Sequence, residues 1–192
     1  MVFLGVQELL SEIKKIYPIT QNSEKALLSI SKVVQFSKGK NVQEKGHTCK
    51  TIYFVKKGIL RVYYFKDDID ITESFELENA YVARAESLFT GKPSRKAIQA
   101  IEDTVLIAID SNKLFALFDS HPDLERLFRK ITESSYVNTI NRIESLQFNT
   151  AEERYSALLK ESPDILKRIP LKYISSYLGI TQVSLSRIRG QK

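Results

Sequence analysis

This sequence has little of the material that most chemistry uses: one cysteine, two histidines, one methionine, seven glycines and no tryptophan in 192 residues. The lone Cys49 excludes an intrachain disulfide, a cysteine-only zinc site and a cysteine-ligated iron–sulfur cluster, because each takes more than one thiolate. There is no nucleophile elbow and no phosphate-cradling glycine loop, and neither histidine has an evident catalytic partner. The expectation is therefore not an enzyme, with no catalytic residues. His47 and Cys49 read as an exposed turn histidine and a half-buried thiol, with no metal site. No apolar run approaches the roughly 18 residues of a membrane span, so a cytoplasmic protein without a membrane partner is expected.

What is present is an ordinary globular composition, 43% hydrophobic and 27% charged, with a formal net charge of +6. The charge is uneven. From Ala151 to Lys192 there are 8 Lys and Arg against 4 Asp and Glu, whereas the preceding 150 residues hold 21 basic against 19 acidic side chains. Such an asymmetry is expected where the C-terminal part meets phosphate.

The hydrophobic period changes twice along the chain. An amphipathic helix over MVFLGVQELLSEIKKIY is followed by a second, SEKALLSISKVV, capped by Asn22 or Ser23. From about Val33, eight short segments rich in β-branched and aromatic residues alternate with turn signals such as Lys45-Gly46-His47, Lys57-Gly58 and Lys66-Asp67-Asp68. Eight strands with no helices between them predict a compact antiparallel barrel or jelly roll. The acidic run Asp67, Asp68, Asp70, Glu73, Glu76 and Glu78 reads as a solvated hairpin face. Helical spacing returns at Ser111, taken as a cap. A long helix then runs from Pro122 to about Phe148, with an apolar stripe at Leu124, Leu127, Phe128, Ile131, Ile140, Ile143 and Leu146. A helix of about 40 Å cannot bury its whole face on one small barrel, so a second copy of the chain is the expected partner. Thr150-Ala-Glu-Glu153 is a capping box that opens the next helix, and Pro163 ends it.

The stretch LKYISSYLGITQVSLSRIRGQK predicts two short helices joined at Gly179. Ile174 and Leu178 bury one side of the first helix, Leu185 and Ile188 one side of the second, and Thr181 caps the second. Ser175 is small enough for close helix crossing, Gly179 can take a positive φ, and Ile180 fills the corner. Gln182, Ser184, Arg187 and Arg189 are left for the outer face, as a major-groove reading helix requires.

Barrel, long helix and terminal helix pair, in that order, resemble the Crp/Fnr family of bacterial transcription regulators over nearly the full chain. The likeness is carried by YFVKKGILRVYY (53–64), SLFTGKPSRKAIQAIEDTVLIAI (87–109) and KYISSYLGITQVSLSRIR (172–189). The fold implied is α+β: an N-terminal antiparallel β-barrel or jelly roll of the cyclic-nucleotide-binding type, a long dimerisation helix, and a C-terminal helix-turn-helix domain. Ile165 to Pro170 is too short for the family's usual wing hairpin. The domains are then 1–121, the sensor barrel with its N-terminal helices; 122–148, the dimerisation helix; and 149–192, the DNA-binding unit.

The resemblance implies a homodimer on double-stranded DNA with an inverted-repeat operator, and RNA polymerase as a further partner. It gives Arg187 the guanine-reading role, which a bidentate guanidinium suits. Gln182 is placed against a base, Thr181, Arg189 and Lys172 mostly against the DNA backbone, and Ser184, also on the DNA-binding face, falls where the family has a small hydroxyl. In the barrel, Glu86, Ser87, Arg95, Lys96 and Ala97 occupy the stretch that grips ligand in nucleotide-binding members. Here Ala85 replaces the glycine before the glutamate, and Lys96 replaces the hydroxyl after the arginine. The implied effector is a small molecule of unknown identity, and these departures count against cyclic AMP. A reading from another class is a cyclic-nucleotide-sensing or scaffolding module whose C-terminal helices contact protein.

Overall fold

The computed structural model describes residues 6–190; the first five residues of the expected opening helix lie outside them. Two short helices, α1 (Gln7–Ile16) and α2 (Gln21–Ser29), precede eight strands: β1 (Ser31–Phe36), β2 (Asn41–Gln43), β3 (Thr51–Lys57), β4 (Leu60–Lys66), β5 (Ile69–Glu76), β6 (Tyr81–Val82), β7 (Ala97–Ala100) and β8 (Thr104–Asp110). A single turn-and-a-half helix, α3 (Ala85–Thr90), interrupts the strands. Then come α4 (Ser111–Leu117), the long α5 (Pro122–Phe148), α6 (Ala151–Glu161), α7 (Ile165–Arg168), α8 (Leu171–Leu178) and α9 (Gln182–Gly190).

The strands form two four-stranded antiparallel sheets, ordered β1-β8-β3-β6 and β2-β7-β4-β5. Alternate residues of the two inner faces, among them Val55, Leu60, Val62, Ile98 and Leu106, fill the space between them. The outer face of the first sheet is covered by α1, α2, α4 and the first turns of α5, where Leu9, Ile13, Leu27, Leu114, Leu124 and Leu127 have no exposed surface. Gly58 makes the tight β3–β4 turn possible. Its φ is +97°, and a Cβ there would lie 2.9 Å from the Thr104 backbone Cα.

Two helix starts differ from the sequence expectation. Helix α2 is capped by Thr20, whose Oγ1 accepts the Ser23 N–H at 3.2 Å; Asn22 and Ser23 lie inside the helix. Ser23 donates instead to Asp123 Oδ1 at 2.6 Å, tying α2 to the start of α5. Helix α4 is capped by Asp110, whose carboxylate accepts the Lys113 N–H at 3.0 Å, while Ser111 is buried within the first turn. The α6 start follows the sequence: Thr150 and Glu153 form the reciprocal capping box.

Of the acidic run, Asp67 and Asp68 at the hairpin tip are exposed as expected, but the rest is not a solvated face. Asp70 pairs bidentately with Arg61 at 2.6 and 2.8 Å, Glu73 pairs with Arg84 and Lys96, and Glu78 pairs with Arg168. The hydrophobic alternation fixes which residues share a face of the strand. It carries no information about the later helices that cover that face.

The last four helices form a compact head with its own core of Tyr155, Ile165, Ile169, Ile174, Leu178, Leu185 and Ile188. That core continues onto the barrel through Ile59 and Ile101. Between Glu161 and Leu171 lies only the four-residue α7, so no β-hairpin occupies that stretch.

Candidate nucleic-acid interface and effector cleft

The helix pair is built by its apolar stripes. Ile174 and Leu178 have no exposed surface, and Leu185 and Ile188 are 1% and 7% exposed. Gly179 closes α8 at φ +70°, and the Ile180 N–H reaches the Ser175 carbonyl at 3.0 Å. Ser175 is buried at the crossing and Ile180 packs against the same core. Arg154 on α6 locks the corner by donating through Nε and Nη2 to the Leu178 carbonyl at 3.1 and 2.9 Å. Arg142 on α5 donates to the Tyr177 carbonyl and lies 3.9 Å from the centre of the Tyr177 ring.

On the outer side of α9, Gln182, Val183, Arg187 and Arg189 are exposed. Thr181 and Ser184 cap the helix for each other: Thr181 Oγ1 accepts the Ser184 N–H at 3.1 Å, and the two hydroxyls are 3.0 Å apart. Lys172 is exposed at the start of α8, with its ammonium 4.7 Å above the Tyr173 ring. The structure thus brings Gln182, Arg187 and Arg189 onto one projecting helix, with Lys172 on the helix before it.

A cleft of about 1020 Å³ opens between β4, β5, β6, the middle of α5 and the end of α8. Its polar wall holds Glu73, Glu76, Arg84, Glu86, Lys96 and Arg142. Glu73 reaches into it through an irregularity of the sheet. Val62 pairs with Ser74 and Tyr63 with Thr72, so Glu73 is the extra residue of a β-bulge, a device that re-aims a side chain. There it bridges Arg84 and Lys96. Burial pushes both cations below their ordinary pKa values, and Arg142 likewise. Burial raises the Glu76 carboxyl to about 7, opposed in part by the Ser74 hydroxyl and Arg84.

The five ligand-gripping candidates do not converge. Glu86 and Lys96 line the cleft. Ser87 is buried, its hydroxyl accepting the Cys49 N–H at 2.9 Å and donating to the Lys92 carbonyl at 2.5 Å. Ala97 is buried in β7. Arg95 lines a smaller neighbouring groove with Lys45, Phe65 and Lys66, which shares Tyr64 and Lys96 with the cleft. His47 is exposed and Cys49 buried; among the described residues no group of His, Cys, Asp or Glu could hold a metal ion.

Sequence reading missed Arg61, Arg84, Arg142 and Arg168. Arg61 is 2% exposed, held by Asp70, Gln99 and Thr72 and sandwiched between the Tyr63 and Tyr173 rings at 4.1 and 3.7 Å. A charged residue between Leu60 and Val62 was the available signal, since an arginine there must be paired or stacked once a helix covers it.

Residues 33–121 match the family model of the cyclic nucleotide-binding domain. Among curated protein sequences none matches significantly. FixK2 from Bradyrhizobium japonicum superposes with a TM-score of 0.74 at 21% identity, covering 84% of each chain. A regulator assigned to the crp/fnr family from Eubacterium rectale gives 0.71 at 18% identity, over 88% of this chain and 82% of the other. The c-di-GMP-responsive global regulator CLP of Xanthomonas campestris gives 0.71 at 15% identity, over 90% and 91%. At these identities the agreement is one of fold, over 84% to 90% of this chain. Among the described residues no helix is long and apolar enough to cross a membrane.

Proposed function

We propose that this chain, which carries a cyclic nucleotide-binding domain and has the fold of the Crp/Fnr regulators, is a sequence-specific DNA-binding transcription regulator that acts as a homodimer. The observation that carries this reading is the exposed face of α9, where Gln182, Val183 and Arg187 project from a helix whose opposite side is buried. Arg187 supplies a fork for guanine, Gln182 can pair with adenine, and Val183 can touch a thymine methyl. Arg189, Lys172, Thr181 and Ser184 contact the backbone.

Helix α5 supplies the dimer seam. Its first turns are buried against the barrel, but Tyr136, Val137 and Phe148, which lie outside the cleft, are between 53% and 76% exposed. Pairing with a second copy would cover them and set two α9 helices on successive major grooves of an inverted repeat, about 34 Å apart. The division into sensor (1–121), dimerisation helix (122–148) and DNA-binding unit (149–192) belongs to this reading. So does a small-molecule effector in the cleft that is not cyclic AMP.

The test is selection of bound sequences from random duplexes, followed by binding of the best operator across a salt series. A palindromic preference and a steep loss of affinity with salt are expected. Arg187→Ala should lose about 1–3 kcal/mol of base discrimination while keeping residual nonspecific binding. No enrichment, or an Arg187→Ala protein that binds its operator as tightly as the parent, overturns the reading.

A further inference from the structure

The positive charge inside the cleft exceeds the negative charge that answers it. The Arg84 and Lys96 side chains are 14% and 33% exposed, and both lean on the single carboxylate of Glu73. Arg84 Nε is buried with no partner at all. Of the two further cations, Lys130 is exposed to solvent, and Arg142 has a peptide carbonyl and an aromatic face for company, not a carboxylate. Of the two other acids lining the cleft, Glu86 is exposed to solvent. The second, Glu76, lies in a setting that favours its uncharged form. Half-desolvated cations that share one carboxylate are under-neutralised, which is the condition an anionic ligand relieves.

The rest of the lining defines the ligand's body. Val62, Ile71, Val82, Ile131, Ile143 and Leu146 contribute apolar surface, and Tyr64 and Tyr177 contribute aromatic faces. A cleft of about 1020 Å³ with a mostly apolar wall and a few convergent charges suits a compact organic molecule. The arginine expected to bind phosphate, Arg95, is not in the cleft lining but in the groove beyond Tyr64 and Lys96, and the Ser87 hydroxyl is already committed to Cys49 and Lys92.

We propose that the cleft binds a small organic anion with an aromatic or apolar body, held by Arg84 and Lys96, and that Glu73 is an internal carboxylate which the ligand's acid group displaces. This deepens the reading of the cleft as an effector site and rests on it, but it does not depend on how α9 meets DNA. The bulge makes the displacement possible, because the Glu73 backbone makes no cross-strand pair with β4 and its side chain can swing without breaking a neighbouring pair.

The experiment uses the full chain and the fluorescent anion 8-anilinonaphthalene-1-sulfonate as probe. One saturable site is expected. Arg84→Met and Lys96→Met should each weaken it by roughly tenfold or more, the scale of one lost charge-assisted contact. Glu73→Gln should tighten it several-fold by removing the internal competitor, at one-site stoichiometry and with the parent's near-UV circular dichroism and urea midpoint, which a loosened fold that binds more probe would not keep. Arg95→Met should leave it unchanged. The proposal is overturned if no saturable site exists, if binding is the same in the Arg84 and Lys96 variants, or if Arg95→Met abolishes it instead. Operator binding measured on the same samples separates the two questions: loss of DNA preference in Arg187→Ala with intact probe binding touches only the regulator reading.

Discussion

The hydroxyl of Ser176 on α8 accepts the N–H of Thr72 on β5 at 2.8 Å and donates to the Asp70 carbonyl at 3.0 Å. Strand β5 is the outer strand of its sheet, so its far edge would otherwise present unpaired peptide groups. One serine from the reading head satisfies two of them. Residue Glu73, next in the chain after Thr72, is the bulged carboxylate of the cleft. The same strand therefore touches the candidate ligand site and the helix pair.

Replacing Ser176 by Ala should remove both hydrogen bonds and leave the Thr72 N–H without its partner. A loss of about 1–2 kcal/mol in urea unfolding is expected, with faster hydrogen exchange at the Thr72 amide than at the central strands. A variant with parent stability and unchanged Thr72 protection would mean that the seam does not hold in solution.

A second tie between head and barrel predicts behaviour in acid. The Arg168 guanidinium donates to Glu78 at 3.0 Å and pairs with Glu102 as well, and the Gly58 N–H also donates to Glu78 at 2.9 Å. Chiefly through Arg168, the Glu78 carboxyl is held at about 2, below its ordinary 4.5. A carboxyl lowered on folding adds stability above its unfolded value and loses it as pH falls through the folded one. The parent should therefore lose stability between about pH 4.5 and 2, and Arg168→Ala should flatten that part of the pH profile. Both partners are about a third exposed, so the contribution at neutral pH is about 0.5–1 kcal/mol and shrinks with added salt.

Glu76 predicts the opposite slope. Its carboxyl is raised by burial from 4.5 to about 7, so over that window the folded state holds more protons than the unfolded chain. Stability should fall as pH rises from about 4.5 to 7 and level off above. Glu76→Gln keeps an acceptor for the Ser74 hydroxyl, which donates to Glu76 at 2.8 Å, but cannot ionise. It should be more stable than the parent at pH 8 by about 1–3 kcal/mol and little different at pH 4.5. Urea midpoints at the two pH values check this, and equal midpoints for parent and variant at pH 8 would contradict it.

The sequence discloses what short-range physics decides. The α5 bounds, Pro122 to Phe148, follow from a proline fit for the first turn and a sustained helical period, and the Thr150–Glu153 box announces α6. The helix pair is legible because Gly179, Thr181 and four apolar positions act within twenty residues. Destinations across the chain are not legible. Arg168 meets Glu78 from 90 residues away and Ser176 meets Asp70 from 106 residues away. No local pattern records either contact, so Asp70, Glu73 and Glu78 read as solvated when each is paired. The cleft is half legible: Glu86 and Lys96 face it, whereas the bulged Glu73 depends on a register slip in the β4–β5 ladder that alternation does not reveal.

The exposed side chains of α5 carry the last prediction. Val137 is 53% exposed and Tyr136 66% exposed, beyond the point where the barrel covers the helix. If this stretch is the seam between two copies, a two-fold axis places each residue at the interface twice, and Val137→Glu would bring two carboxylates into it with no cation to answer them. Dimer affinity should drop by about a hundredfold or more, and sedimentation equilibrium should show monomer at concentrations where the parent is dimeric. The protomer should keep its fold, since Val137 makes no part of the buried core. Operator binding should weaken with it, because two linked heads engage a palindrome far better than one. A Val137→Glu protein that remains dimeric would move the seam off this face of α5.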